Sequence, residues 1–285
     1  MSKPSPTPQT PQTSKSATVK VFLALMAVLL LLFLFANRQS LFNNDSDGET
    51  TSGRKMQSEP IINDPNPEVT QESGKRQALN QKGSQLLEAG KFDEAITTFT
   101  ELVNTKENDA AAHHNLGIAY TKKQDYPNAI LQFTKAIEID PKFEAAIYSL
   151  GITYEENNNR TKALETFNQL LKVNPAEKRA LLRVGIIYDA QNKFDDAIKA
   201  YEKAVAADPG YYIAWFNMGN TYLQQKFYDK AISSYESAIK ANPNYANPYV
   251  NMAHCYMSKG DNTKAQELFK KAVQLDPSLK AMPLK

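Results

Sequence analysis

The sequence predicts an all-α fold, a solenoid of six helix-turn-helix repeats, because three residue series recur every 34 residues and keep a constant offset from one another. The prolines are Pro141, Pro175, Pro209, Pro243 and Pro277, the glycines Gly83, Gly117, Gly151, Gly185 and Gly219, and the tyrosines Tyr120, Tyr154, Tyr188, Tyr222 and Tyr256. A fixed period between about 20 and 50 residues indicates one small structural unit stacked on copies of itself. Stacked helical units form binding surfaces more often than catalytic pockets.

Each repeat is predicted to contain two amphipathic helices, helix A and helix B. With the glycine placed at position 8, positions 4, 7, 8 and 11 share one helical face, and positions 20, 24, 27 and 28 share another. Position 20 is always alanine: Ala95, Ala129, Ala163, Ala197, Ala231 and Ala265. Position 24 is always aromatic: Phe99, Phe133, Phe167, Tyr201, Tyr235 and Phe269.

The glycine series predicts a close contact between the two helices of a repeat. A glycine inside a helix costs about 1 kcal/mol relative to alanine, so five repeats must need the space. We expect helix B to approach at the invariant alanine of position 20. The sixth repeat has Ala253 in place of the glycine.

The prolines mark the boundaries between repeats. Each follows an Asp or Asn, as in Asp140-Pro141 and Asn174-Pro175. A residue before proline is disfavoured in the helical region, so helix B should end there. The fixed φ of proline then suits the first residue of the next helix A.

This pattern resembles the tetratricopeptide repeat family, Trp-x2-Leu-Gly-x2-Tyr, then Ala-x3-Phe, then Pro. The fifth repeat matches most fully, with Trp215, Met218, Gly219, Tyr222, Ala231, Tyr235 and Pro243. The signature residues of the other middle repeats are Gly117, Tyr120, Ala129, Pro141, Gly151, Tyr154, Ala163, Pro175, Gly185, Tyr188, Ala197 and Pro209. The first repeat departs from the pattern at Lys82, Leu86 and Glu107. The resemblance implies a right-handed α-solenoid in residues 67–279, with repeats 76–109, 110–143, 144–177, 178–211, 212–245 and 246–279, followed by a short tail, 280–285.

The first 75 residues have a different composition from the repeats. Residues 1–16 are polar and proline-rich and are predicted to be a disordered tail, as is the linker 38–66. Sixteen consecutive apolar residues, Val21–Ala36, lie between them and predict a transmembrane anchor over 17–37. A cleaved signal peptide is the alternative, but this apolar run is longer than usual and ends in a poor cleavage site.

Charge around this segment suggests its orientation. Lys3, Lys15 and Lys20 precede it without any acidic residue, which favours a cytosolic N-terminus. The repeats would then lie on the extracytoplasmic side. The linker would end at Asn66 and lead into a helix beginning at Pro67, because Asn caps helices and proline suits their first position.

The composition excludes several functions. The net charge is +2, of which the first twenty residues carry +3, so no basic stripe indicates nucleic-acid binding. No catalytic constellation, metal-ligand spacing or cofactor motif is present, and we expect no enzyme activity, no metal and no cofactor. The single Cys255 rules out an intrachain disulfide and is expected to be a small buried residue.

The family resemblance implies that ligands meet helix A near positions 2, 5, 6, 9, 12 and 13. Candidate peptide-binding residues there are Asn115, Tyr148, Arg179, Arg183, Phe216, Asn217 and Asn251. An asparagine amide can hold an extended peptide backbone because it offers donors and an acceptor. Two arginines one helical turn apart can hold an acidic group. Solvated or packing roles for the same residues remain open.

The predicted function is a membrane-tethered scaffold that binds protein or peptide partners in a concave groove and helps to assemble or localise a complex. One alternative is a structural protein that self-associates through an uncapped C-terminal repeat. Another is an N-anchored receptor whose repeats face the cytosol.

Overall fold

The computed structural model describes residues 67–281, and within this range every regular element is helical. Twelve α-helices alternate between the A and B types, and a short 3-10 helix, Pro277–Ala281, follows them. The A helices are α1 (Pro67–Glu88), α3 (Ala110–Lys122), α5 (Glu144–Glu156), α7 (Lys178–Ala190), α9 (Tyr212–Gln224) and α11 (Ala246–Ser258). The B helices are α2 (Phe92–Thr105), α4 (Tyr126–Ile139), α6 (Arg160–Val173), α8 (Phe194–Ala207), α10 (Tyr228–Ala241) and α12 (Asn262–Leu275). Each helix packs against the next along the chain, which makes this region an α-helical repeat solenoid.

The Asp-Pro and Asn-Pro pairs end the B helices as predicted. Asp140 is extended, with φ −128° and ψ 95°. Its carboxylate accepts a hydrogen bond from the backbone N–H of Lys142 at 2.9 Å. This Asx turn recurs at Asn174, Asp208, Asn242 and Asp276. The proline was expected to start the next A helix, but it lies inside this turn instead, and α5 begins three residues later at Glu144.

The turn between helices A and B contains one left-handed residue at the same position of every repeat. The six residues are Gly90, Gln124, Asn158, Asn192, Lys226 and Gly260, with φ between 57° and 86°. The residue after it donates its backbone N–H to the carbonyl of repeat position 11, as Asn159 does to Tyr154 at 2.7 Å. This is the closing hydrogen bond of a Schellman motif, which lets helix B reverse direction after three residues.

The core of each repeat forms where the glycine of helix A meets the aromatic ring of helix B. The rings of Phe99, Phe133, Phe167, Tyr201 and Tyr235 are at most 1% exposed. A β-carbon built on any of the five glycines would overlap the ring of its own repeat. The sequence was therefore right about a close contact and wrong about its partner, which is the position-24 ring rather than the position-20 alanine. In the sixth repeat, Ala253 stands in place of the glycine and Phe269 is only half-buried.

The two ends of the solenoid differ. At the first end, α1 runs from Pro67 to Glu88 and continues without a break into the first repeat. At the other end, the 3-10 helix packs beside α12, and its own residue Leu279 is buried. The last repeat is thus partly covered, contrary to the expectation of a bare surface, although Phe269 and Val273 remain half-exposed.

The predicted anchor 17–37, the tail 1–16 and the linker 38–66 lie outside the described residues. Across residues 67–281, no helix combines the length and the hydropathy needed to cross a bilayer.

Candidate protein-binding surface on the A helices

We use the term inner face for the side chains at repeat positions 2, 5, 6, 9, 12 and 13 of the A helices. Polar side-chain contacts connect the A helices of adjacent repeats on or next to this face. The linked pairs are Asn80–Asn115 (2.8 Å), His114–Ser149 (3.1 Å), Thr121–Thr153 (3.2 Å), Glu155–Arg183 (3.9 Å), Asp189–Thr221 (3.0 Å) and Asn220–Asn251 (2.8 Å). All five junctions between adjacent A helices contain at least one such link. The inner face is therefore a single connected surface.

The three candidate asparagines take part in internal hydrogen bonds. Asn115 donates to Asn80, and the buried Asn251 donates to Asn220. Asn217 is also buried and donates to the Ile213 carbonyl of its own helix at 2.8 Å. Their role in holding a ligand stays a prediction, and it requires these amides to exchange an internal partner for a ligand.

The two candidate arginines each interact with a carboxylate of this chain. Arg183 is 5% exposed and lies 3.9 Å from Glu155. Arg179 donates two hydrogen bonds to Glu177, at 2.9 and 3.2 Å. Hydrogen bonding to Glu177 raises the pKa of Arg179 above its usual value, against the smaller effect of burial. The expected capture of an acidic group by this pair would have to break both internal ion pairs.

The two candidate aromatic residues differ in position. Phe216 is fully buried, with its ring centroid 5.1 Å from that of Tyr245 and 5.9 Å from that of Tyr235. It is a core residue, which corrects the prediction that it anchors a ligand. Tyr148 is half-buried on the inner face, and the Arg179 guanidinium lies 4.6 Å from its ring centroid.

A row of three isoleucines was missed in the sequence. Ile118, Ile152 and Ile186 occupy position 9 of the second, third and fourth repeats. Each is half-buried and packs its inner side against the core of its own repeat region. We call these three residues the isoleucine row. Aligning the repeats could have revealed this row, because isoleucine occupies position 9 in three consecutive repeats and position 9 is not part of the core pattern.

Charged groups of opposite sign lie beside the isoleucine row. Lys122 is one helical turn beyond Ile118, and Glu156 is one turn beyond Ile152, and both are exposed. Desolvation by neighbouring protein atoms raises the pKa of Glu156, while the positive charges of Lys122 and Arg183 oppose that shift. The two side chains leave little net charge at this edge of the inner face.

Two buried titratable groups serve packing. Burial lowers the pKa of His114 to about 4, so the ring is neutral between Phe133 and Phe143 at physiological pH. Burial raises the pKa of the Cys255 thiol to about 12, as expected for a packing residue rather than a nucleophile. Within the part of the chain that the structure describes, no three His, Cys, Asp or Glu side chains converge as metal ligands.

The fold and the inner face define a helical-repeat protein domain. Sequence models described as tetratricopeptide or TPR repeats match residues 83–124, 110–143, 148–212, 185–246 and 223–281. The chain therefore belongs to the tetratricopeptide repeat family.

Solved structures show the same fold. The crystal structure of MamA is 25% identical with a TM-score of 0.54, and the match covers 58% of this chain and 97% of MamA. YrrB, described as a TPR protein with an unusual peptide-binding site, is 21% identical with a TM-score of 0.52, over 63% of this chain and 92% of YrrB. PilF of Pseudomonas aeruginosa is 16% identical with a TM-score of 0.61, over 72% of this chain and 94% of PilF. No curated protein sequence matches significantly.

Proposed function

We propose that this chain is a non-catalytic scaffold that binds segments of partner proteins on the inner face of its A helices. The observation that carries the proposal is the connected inner face, on which three isoleucines are half-exposed among polar side chains. Large apolar side chains grouped on a polar surface commonly mark interaction sites. The peptide-binding site named for YrrB agrees with this role but is a property of that protein.

The proposal extends to the N-terminal segment. The apolar run Val21–Ala36 would hold the scaffold at a membrane, and the preceding lysines favour repeats on the extracytoplasmic side. The scaffold would then assemble or localise a complex at that membrane. Protease treatment of intact membrane vesicles tests the orientation, because repeats on the cytosolic side would indicate the receptor alternative instead.

Site-specific photo-crosslinking tests the binding surface. A photo-reactive amino acid replaces Lys122 on the inner face in one protein and Glu165 on helix α6 in another. Both positions are exposed, so the replacements should be tolerated equally. The proposal expects crosslinked partner proteins from position 122 and few from position 165. Equal yields, or partners from position 165 alone, would contradict it.

One observation favours a second candidate function, association of two copies through the α12 end. Phe269 is half-buried, whereas the aromatic residues at its position in the other repeats are buried. Light scattering of the protein and of a Phe269→Glu variant separates the candidates, because an assembly through this face would dissociate in the variant.

A further inference from the structure

Every junction between adjacent repeats places helix B of one repeat against helix A of the next. The packed pairs are α2 with α3, α4 with α5, α6 with α7, α8 with α9 and α10 with α11. Position 7 of each incoming A helix is apolar and only 4–7% exposed: Leu116, Leu150, Val184, Met218 and Met252. Leu150 shows what this side chain contacts, because it forms one core cluster with Ala129 and Phe133 of the preceding repeat.

Position 3, one helical turn earlier, completes the contact. It holds a small or compact buried residue in each incoming helix: Ala112, Ala146, Ala180, Ala214 and Pro248. Ala180 and Val184, for example, pack in one cluster with Phe167 of the preceding repeat. A junction is therefore built from a small residue at position 3, an aliphatic residue at position 7 and the ring at position 24 of the repeat before.

The α12 end carries one half of such a junction. Ala265 and Ala272 are at most 1% exposed, but Phe269 and Val273 are half-buried. The rings at the position of Phe269 in the other repeats, which the next A helix covers, are at most 1% exposed. By the repeat period, the 3-10 helix Pro277–Ala281 corresponds to the turn that leads into an A helix and not to the helix itself.

Helix α1 carries the other half with one exception. Its position 3 is Ala78, which is small and exposed as the junction requires, but its position 7 is Lys82, which is also exposed. Residues 71–75 of α1 are exposed as well, so the helix extends past the first repeat without packing on it. In shape, α1 of one copy therefore matches the α12 end of another.

The ammonium group of Lys82 opposes this contact. The equivalents of Ala129 and Phe133 in the last repeat are Ala265 and Phe269, which offer no carboxylate. Lys82 would be placed against them in a site where position 7 is almost fully buried, and an unpaired charge is strongly disfavoured there.

The overall charges of the two ends do not oppose the contact. The first repeat, 76–109, contains four Lys or Arg and six Asp or Glu residues, so its net charge is negative. The last repeat, 246–279, contains four Lys and three Asp or Glu residues, so its net charge is positive. Opposite net charges attract, which leaves the local burial of Lys82 as the obstacle.

We infer that the α12 end is shaped to accept helix α1 of a second copy, and that Lys82 prevents this head-to-tail contact in the native chain. The inference goes beyond the proposed function, since it concerns neither the inner face nor a partner protein. Because every copy has both ends, the contact would not close and would produce open chains of copies. A pair formed through two α12 ends does not involve Lys82 and stops at two copies.

Replacing the charge tests the inference. Lys82→Leu supplies the residue that the second and third repeats have at position 7. Sedimentation velocity of the full chain in mild detergent measures the average mass. We expect the mass of the variant to rise at least about threefold between about 1 and 100 µM, as open-ended association requires, while the native protein stays at one or two copies. Lys82→Met should behave in the same way, so that one poorly folded variant does not decide the result.

Three further variants locate the contact. Lys82→Leu/Phe269→Glu removes the opposite half of the junction and should return to the native size. Lys82→Arg keeps the charge and should also stay at the native size. Lys199→Leu places the same leucine at an exposed position of α8, away from both ends, and should not associate. Circular dichroism checks that each variant retains its helices.

Three results would overturn the inference: open chains formed by the native protein, native size of both Lys82→Leu and Lys82→Met at about 100 µM with their helices intact, or equal growth of the double variant or of Lys199→Leu. Crosslinking from position 122 does not depend on any of these results. A failure here therefore leaves the proposed scaffold function standing, and a failure of that function leaves this inference standing.

Discussion

The ring of Phe167 occupies the space where a side chain at Gly151 would begin. A β-carbon on Gly151 would lie 2.5 Å from one ring carbon and 2.7 Å from the next, well inside van der Waals contact. The same relationship recurs in the first five repeats, so it sets how closely helix A and helix B approach within each.

Gly151→Ala is therefore expected to destabilise the protein, although alanine favours a helix by about 1 kcal/mol. Displacing a buried ring typically costs about 1–3 kcal/mol, which outweighs that gain. Urea unfolding followed by the fluorescence of the single Trp215 measures the difference. Gly74→Ala is the control, since nothing lies within 4 Å of its β-carbon position in α1. A stabilising effect of both changes would contradict the ring contact.

The left-handed position of the A–B turn offers a stabilising substitution. Lys226 has φ 62°, a conformation that costs an L-residue about 1–2 kcal/mol, whereas Gly260 occupies the equivalent position without that cost. Lys226→Gly should raise the free energy of unfolding by about 0.5–1 kcal/mol, after the greater freedom of glycine in the unfolded chain is subtracted. Lys226→Ala keeps the strain and should give no comparable gain, so equal gains from the two variants would refute the explanation.

The buried ion pair on the inner face should behave differently from the half-exposed one. Arg183→Ala leaves Glu155 buried without its cation, and such a loss costs about 3–5 kcal/mol. The double variant Arg183→Met/Glu155→Leu should recover most of that loss, because apolar side chains need no charge partner. Arg179→Ala should cost less than Arg183→Ala, because the Arg179 side chain is 40% exposed and solvent screens its ion pair. Chemical unfolding of the three variants side by side checks this order, and a mild Arg183→Ala would contradict it.

The buried His114 ring should make the protein less stable in acid. Burial lowers its pKa to about 4, while the unfolded chain keeps the ordinary value near 6.5. Between these values the unfolded chain binds a proton that the folded chain does not, so the free energy of unfolding decreases as the pH falls through this window. The free energy of unfolding is therefore about 3 kcal/mol higher above pH 6.5 than it is below pH 4, as far as His114 alone is concerned. His114→Gln should flatten the pH dependence between pH 4 and 6.5, and an unchanged slope would contradict the assignment.

Much of the solenoid was predictable because its determinants are local and repeat. The Asp-Pro and Asn-Pro pairs ended the B helices as expected, and the period placed the rings of Phe167 and Tyr201 in the core. The start of the A helices was misplaced because the proline belongs to an Asx turn, which needs two more residues before the next helix begins.

The inner face was less predictable because its side chains find partners more than 25 residues away. Arg183 looked like a ligand-binding residue until Glu155 of the preceding repeat was seen beside it. Phe216 was a candidate ligand contact by its repeat position, but its ring is buried against Tyr245 of the following repeat. A repeat pattern identifies the positions that face outward, but it does not show which of them are already occupied by a neighbouring repeat.

Isoleucine-methyl NMR of the full chain tests the central claim most directly, with the partner segment captured at position 122 as the titrant. The account predicts that the methyl signals of Ile118, Ile152 and Ile186 shift, while that of Ile139 on α4, which is 37% exposed, stays unchanged. A shift of the Ile139 signal with the three inner-face signals unchanged would show that partners bind elsewhere and would contradict the account.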